Sequence, residues 1–145
     1  MRLAVYPETL AVVRLGPGAE VPSWAESSSV FSVTATATET SVVCAARSVP
    51  GKARALKPLT AFAVEGAPEV TTSGVLVELL TPLAEEGISA FPVPTHDTLW
   101  ILVAVDDAER AGEAWRRSGH EVAPAVPVTP GSSPKPAGRP EKSTR

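Results

Sequence analysis

The chain has 145 residues, of which 43% are hydrophobic and 20% are charged, and its formal net charge is −3. This length suits one domain or two small halves that share a core. An acidic chain without a basic patch is not expected to bind nucleic acid, and no stretch reaches the roughly 18–20 apolar residues of a membrane span.

The first residues and the cysteine content indicate the cellular compartment. Residues 1–18 resemble a signal peptide, but Glu8 and Arg14 interrupt the apolar run and no cleavage site follows, so we interpret them as mature sequence of a cytoplasmic protein. Cys44 is the single cysteine and is expected to be a small buried hydrophobe. One cysteine with His96 and His120 cannot build a structural zinc site, and we expect neither a metal nor a cofactor.

Residues 1–58 are predicted to form a reduced half with three strands and one short helical turn. Runs of apolar and β-branched residues indicate the strands, and Gly and Pro mark the turns between them. After a lead-in over residues 1–8, we expect strands at residues 9–15, 30–36 and 41–46, a helical turn at 21–25, and a loop at 47–58. The second and third of these strands should pair as a hairpin.

Residues 59–126 are predicted to form a second unit with the order β-α-β-β-α-β. We expect its strands at residues 59–65, 88–93, 99–105 and 120–126, and its helices at residues 73–86 and 106–118. Gly87 and Gly119 follow the two helices and end them in a left-handed conformation. This order defines a ferredoxin-like α+β fold, with antiparallel sheets and helices on one face.

Local signals specify the helix ends. Thr72 or Ser73 is expected to cap the first helix, and Asp106 with Glu109 forms a capping-box pattern at the second. Pro82 lies inside the first helix, where a proline costs roughly 3 kcal/mol. We therefore expect a kink or a separate last turn at Pro82.

The strand at residues 99–105 is an unbroken apolar run, which indicates burial on both faces. Helices can cover one face, so the first half of the chain or a second copy should cover the other. We expect the two units to pack back to back and to leave room for a small ligand at their seam. Residues 127–145 are rich in Pro, Gly, Ser and charge, which predicts a disordered tail.

Several segments carry a family resemblance. They are LAVVRL at residues 10–15, the PSWA, FSVTAT and SVVCAA that follow, SGVLVELLTPLAEEGISAF at 73–91 and THDTLWILV at 95–103. With these segments the chain resembles the ACT domain, and more narrowly the small bacterial ACT proteins whose domain type also occurs in eukaryotic cytosolic arginine sensors. The block from residue 74 to residue 103 is the specific part.

ACT domains are regulatory modules that bind small ligands, mostly amino acids, usually at the interface of two such units. The resemblance therefore implies a pair of ACT-type units, ligand sensing rather than catalysis, and a homodimer. The family's ligand region is the loop into the first helix and the strand that faces it. The corresponding residues of this chain are Thr72, Ser73, Gly74, Val75, Phe91, Thr95, His96, Asp97 and Thr98.

The chemistry of these residues suits an amino acid, although each also has a plain structural interpretation. A helix N-terminus presents unpaired N–H groups and partial positive charge, and Gly74 lets a ligand's α-carboxylate approach the backbone. Asp97 could accept a hydrogen bond from the ligand's amino group. Equally, residues 72–74 could simply start a helix, and Asp97 could bond nearby backbone in an exposed turn. His120 is expected to be structural.

Leu99 departs from the family pattern. The family's turn carries a second acidic residue at this position, which could hold a ligand's ammonium or guanidinium group. Leu99 therefore speaks against a cationic amino acid and keeps a second hypothesis open, namely a dimerisation or protein-interaction module without a ligand. An enzyme is the least supported interpretation, because no Ser or Cys motif with a paired base is present.

Overall fold

The computed structural model describes residues 1–65 and 73–124. The elements within them are β1 (Arg2–Val5), β2 (Leu10–Leu15), α1 (Ser23–Glu26), β3 (Ser32–Ala35), β4 (Thr40–Ala45), β5 (Arg54–Glu65), α2 (Val75–Glu85), β6 (Ala90–Pro94), β7 (Leu99–Ala104), α3 (Ala108–Arg117) and β8 (Glu121–Ala123). None of the helices in this described part of the chain is long and apolar enough to cross a membrane. The tail predicted at residues 127–145 lies outside the described residues.

Strand β5 is the centre of the sheet and has 12 residues. Its first half pairs antiparallel with β2, from Arg54 opposite Arg14 to Leu59 opposite Leu10. Its second half pairs with β1 on the same edge, while β7 pairs with β5 along the other edge. The strands therefore form one eight-stranded sheet rather than two separate sheets.

Both units use β5 and have a ferredoxin-like strand order. In the first unit the order is β3-β4-β2-β5, so β5 supplies the fourth strand. In the second unit β6 pairs with β7, and β7 pairs with β5. Strand β1 is inserted between β5 and β8, and it runs parallel to β8. This arrangement confirms the predicted α+β, ferredoxin-like fold class.

Three expectations about how the units join are wrong. The lead-in predicted over residues 1–8 contains strand β1, which pairs with β5 and β8, and its Leu3 is fully buried in the core that α2 and α3 cover. The loop predicted over residues 47–58 ends earlier, because β5 begins at Arg54. The units do not pack back to back but share β5 edge to edge. The predicted boundary between residues 58 and 59 falls within β5, and a division there stays a prediction.

The three α-helices of the described residues pack on one face of the sheet, which we call the helix face. Helices α2 and α3 cover Phe62, Ile101 and their neighbours in the second unit, and α1 covers β2 and β4 in the first. The ring of Trp115 is fully buried there, 4.8 Å from that of Phe62 at an interplanar angle of 74°. The Trp115 indole N–H also donates a 2.8 Å hydrogen bond to the Leu79 carbonyl, which ties α3 to α2.

The opposite face, which we call the open face, is closed at its centre by side chains from both units. Leu10, Ala61 and Leu102 are fully buried there and belong to one apolar cluster. Tyr6 contacts Trp100 edge to face, with ring centroids 5.4 Å apart. The prediction that the strand over residues 99–105 is buried on both faces is confirmed for Ile101, Leu102 and Val103, and the first half of the chain contributes to the cover. Ala104 and Val105 are exposed.

The helix ends differ from the prediction in their caps. Gly74 is the N-cap of α2 with φ +89°, and no side chain caps that end, so Ser73 does not play the expected role. Thr72 lies outside the described residues. Asp107 rather than Asp106 precedes α3, again without a side-chain cap, because a 3₁₀ turn at Val105–Asp107 leads directly into that helix.

Helix α2 runs through Pro82 to Glu85, so the separate last turn does not form. Pro82 is buried against the core. We attribute the unbroken helix to this packing, which offsets part of the lost hydrogen bond.

Candidate functional site

The start of α2 supplies the first part of the predicted ligand site. Gly74 has φ +89°, and a Cβ built on it would meet nothing within 4 Å, so the left-handed backbone rather than lack of space requires glycine there. The first-turn N–H groups receive no side-chain cap. Val75 is 9% exposed and packs in the core with Val64 and Leu99, which anchors the helix start at the end of the sheet where β5 ends.

The turn between β6 and β7 supplies the second part. The Thr95 N–H donates to the Thr98 carbonyl at 2.9 Å, and the Thr98 N–H donates to the Thr95 hydroxyl at 3.1 Å. The Thr98 hydroxyl donates to the carbonyl of Val64 near the end of β5. These bonds fix the turn at the same end of the sheet as Gly74, because β7 runs antiparallel to β5.

The two ionisable side chains of the turn point into solvent. The side chains of His96 and Asp97 are 98% and 92% exposed, and His96 Nδ1 lies 2.8 Å from Asp97 Oδ1. Asp97 therefore pairs with its neighbour rather than with the backbone, whereas Thr95 makes the backbone bonds of the turn. Within a single chain the turn is exposed, as in the plain interpretation, but Thr95 and not Asp97 bonds the backbone.

The structure separates Phe91 from the other predicted residues. Phe91 lies on β6 opposite Leu102 and packs in the cluster of the open face. Gly74 and Val75 belong to the helix face instead. Ser73, Gly74 and Val75 thus share one end of the sheet with residues 95–98, while Phe91 contributes to the other side of the molecule.

Leu99 marks the position of the missing acidic residue. It is 4% exposed and packs against Val75 and Val64 in the core beneath the start of α2. A carboxylate there would lose its hydration, and only a charged or hydrogen-bonding partner would offset that cost, whereas leucine extends the core. The departure from the family pattern is therefore accommodated by apolar packing.

The cavities lined by described residues include three that contain no predicted site residue. The first, about 600 Å³, lies on the first unit and is lined by Val12, Arg14, Glu39, Ser41, Ala53, Arg54, Ala55 and Leu56. A second of about 440 Å³ adjoins His120 and β8, and a third of about 210 Å³ lies between α3 and β5. Sequence reasoning missed the first cavity because it assigned Arg54 to a loop, although Val12 and Arg14 alternate visibly along one strand.

His120 is structural, as predicted. It is 6% exposed, and its Nδ1 lies 2.9 Å from the Met1 amino nitrogen, while its Nε2 lies 3.9 Å from a Glu78 carboxylate oxygen. Burial lowers the pKa of His120, and the Met1 ammonium lowers it further, against opposing contributions from Glu78 and a backbone hydrogen bond to Met1.

Cys44 is buried as predicted, and its burial raises the pKa of the thiol, so the thiol stays protonated. Among residues 1–65 and 73–124, no group of three or more His, Cys, Asp and Glu side chains is placed to hold a metal ion.

Two family models match parts of the chain. Residues 56–117 match the family model of the ACT domain, and residues 8–52 match a second model that is described as an N-terminal domain. No curated protein matches the chain. The ACT resemblance is thus confirmed for the second unit, whereas the narrower likeness to eukaryotic arginine sensors stays a prediction.

Solved structures show the same fold over most of the chain. A structural-genomics protein from Agobacterium tumefaciens is 25% identical, with a TM-score of 0.82 over 88% of this chain and 96% of that one. The regulatory subunit of aspartate kinase from Thermus flavus is 10% identical, with a TM-score of 0.57 over 81% and 96%. Clostridium acetobutylicum aspartate kinase is 15% identical, with a TM-score of 0.62 over 80% of this chain and 33% of the enzyme.

Proposed function

We propose that this protein is a regulatory ACT-type module that binds a small molecule, an amino acid, and has no catalysis of its own. The ACT-domain match over residues 56–117 carries the proposal, because it contains both the start of α2 and the turn between β6 and β7. The likeness to a protein described as a regulatory subunit supports the same role through the fold.

In this proposal the ligand site comprises Ser73, Gly74 and Val75 with the turn at residues 95–98, while Thr72, also predicted, lies outside the described residues. The uncapped N–H groups of α2 take the α-carboxylate, which favours a helix N-terminus. Asp97 and the hydroxyl groups of the turn take the amino group. Phe91 lies on the open face and contributes only through a second subunit.

The exposure of this site supports a homodimer. His96 and Asp97 are almost fully exposed in one chain, and a buried ligand needs walls on several sides. A second copy, placed over the start of α2, supplies the missing wall. We propose a cytoplasmic homodimer in which each ligand contacts two subunits.

A thermal-shift measurement with each standard amino acid at millimolar concentration tests the proposal. A ligand that binds only the folded protein raises the unfolding midpoint. We expect at least one amino acid to raise it, and Asp97→Asn to reduce that shift. Glu113→Gln, an equivalent change at an exposed position of α3, should leave the shift intact. No shift with any amino acid would contradict ligand sensing.

A dimerisation or protein-interaction module without a ligand is the second candidate. The apolar packing of Leu99 favours it, because the residue that would contact a cationic ligand is part of the core. Light scattering distinguishes the candidates together with the thermal shift. A stable dimer that responds to no amino acid supports this second candidate, and a monomer at micromolar concentration contradicts both.

A further inference from the structure

The cavity of about 600 Å³ on the first unit lies on the open face, away from the start of α2. Its volume is in the range of small-molecule sites, which is roughly 300–1,000 Å³. Its floor is formed by β2, β4 and β5, and its side chains change from apolar to cationic along the strands.

The apolar end of the cavity continues from the buried cluster of the open face. Val12 and Leu56 are cross-strand partners that line it, next to the buried pair Leu10 and Leu59. Leu56 is 52% exposed, one of the largest exposures of a hydrophobic side chain in the described part of the chain. An exposed leucine in a concave site is suited to contact an apolar group of a ligand.

The other end of the cavity is cationic. Arg14 and Arg54 are direct cross-strand partners in the antiparallel pair of β2 and β5, so their side chains leave the same face side by side. Like charges placed directly opposite each other are destabilising. An anion bound between the two guanidinium groups removes this repulsion and accepts charge-assisted hydrogen bonds from both.

The two arginines differ in their protein partners. The Arg14 side chain lies 3.8 Å from the Glu39 carboxylate and 3.5 Å from the Thr38 carbonyl, which directs it toward the hairpin of β3 and β4. Arg54 forms no ion pair or side-chain hydrogen bond with residues 1–65 or 73–124. Ser41, opposite Arg14 on β4, adds a hydroxyl group to the lining.

We propose that this cavity is a second binding site, and that it takes a small organic molecule with one carboxylate next to an aliphatic group. The carboxylate lies between Arg54 and Arg14, with Ser41 as a further donor, and the aliphatic group lies on Val12 and Leu56. This site does not depend on the amino-acid site at the start of α2, from which it differs in residues, unit and sheet face.

Other occupants fit the charges less well. Two identical copies packed face to face on this patch would bring four arginines against two glutamates, which disfavours the contact. Nucleic acid needs several phosphate contacts from an extended basic surface, whereas this patch has two arginines on a chain of net charge −3. A single small anion matches both the charge and the volume.

Titration calorimetry of the full chain with isocaproate tests the proposal, with the neutral isostere isocaproamide and inorganic phosphate as comparison probes. We expect isocaproate to bind, and isocaproamide to bind at least about tenfold more weakly, because hydrogen bonds to a charged group are lost. Phosphate should compete with isocaproate at higher concentration, because it satisfies the arginines but not Leu56.

Matched variants assign the binding to this cavity. Arg54→Gln should weaken isocaproate binding at least about tenfold, Arg54→Lys should weaken it less, and Leu56→Ser should weaken isocaproate but not phosphate. Arg117→Gln, the same change on α3, should bind as the wild type does. Undetectable isocaproate binding at high millimolar concentration overturns the proposal, as does equal binding by Arg54→Gln or equal affinity for the amide. The Asp97→Asn measurement with amino acids reports on the other site, so the two proposals fail separately.

Discussion

His120 shows how one buried ionisable residue can set the pH response of stability. Its imidazole is held between the Met1 amino group and Glu78, at the junction of α2, α3 and β8. Burial is the largest cause that lowers its pKa from the ordinary value of 6.5. The folded protein therefore favours the neutral imidazole, while the unfolded chain takes up the proton at its usual pH.

Acidification below about pH 6.5 should reduce the free energy of unfolding through His120, because the unfolded state then binds more protons than the folded state. The contribution of His120 to the free energy of unfolding is fully present above about pH 6.5. It falls as the pH decreases to the lowered pKa of the folded state, and it is constant below that pKa. Urea unfolding of wild type and His120→Gln between neutral and mildly acidic pH measures the difference.

The two curves should converge on acidification, since glutamine does not titrate. Glu78→Gln removes a carboxylate that favours the imidazolium form of His120. On acidification, the free energy of unfolding of this variant should therefore fall at least as much as that of the wild type. A constant difference between wild type and His120→Gln over this range would contradict the assignment.

Single residues also show what the sequence could reveal. Leu99 and the exposed turn at residues 95–98 are visible in the sequence, because a turn pattern and an apolar run define them locally. The neighbourhood of Arg14 and Arg54 is not visible, because 39 residues separate them in the sequence and the pairing of β2 with β5 brings them together. Such contacts depend on strand order, which local periodicity does not specify.

At the scale of elements, α3 contains a glycine in its interior. Gly112 is buried, and a Cβ there would lie 3.8 Å from an Arg116 nitrogen and 3.8 Å from a Val122 methyl group, which is ordinary contact. Gly119 follows the same helix with φ +91°, where a side chain is strained although the space is open. A side chain is therefore tolerated at Gly112 within α3 and strained at Gly119 after it.

Gly112→Ala should raise the free energy of unfolding by about 0.5–1 kcal/mol, because alanine restricts the unfolded chain and favours the helix. Gly119→Ala should lower it by about 1–2 kcal/mol, because an L-residue is disfavoured in the left-handed conformation. Urea unfolding monitored by circular dichroism gives both values. The prediction is wrong if the two substitutions shift stability in the same direction.

The sequence predicted helices α2 and α3 and strands β6 and β7 close to their observed ends, because apolar periodicity and terminal glycines mark them. It missed β1 and the first residues of β5. Strand β1 is only four residues long, and pairing with β5 and β8, which are distant in the sequence, holds it in the sheet. Arg54, Lys57 and Pro58 resemble a loop locally, yet the long β5 carries them as its first half.

At the scale of the whole molecule, the shared strand should make unfolding a single event. The core of the second unit surrounds Leu79, which is fully buried on α2, and the core of the first unit surrounds Val42 on β4. Strand β5 is the last strand of the first unit and a central strand of the second. If one unit loses β5, the other therefore loses it too. The two cores are therefore coupled through the backbone hydrogen bonds of β5.

Leu79→Ala should lower the free energy of unfolding by about 2–5 kcal/mol, the usual range for a buried leucine. We expect the most protected amide hydrogens of β4 to lose as much protection as those of β7, because both exchange only when the whole sheet opens. Hydrogen exchange followed by mass spectrometry resolves the two strands. Unchanged protection of β4 in the variant would show that the units unfold independently.

Strand β1 has a consequence for how the polypeptide can be divided. It comes first in the chain but lies in the sheet of the second unit, where β8 pairs with it, while β5 completes the sheet of the first. A fragment cut before Arg54 would keep β1 without either neighbour, and the complementary fragment would leave β8 without a partner. Neither gene recombination nor proteolytic trimming can therefore release one unit with all of its strands paired. A protein would have to gain or lose both units together.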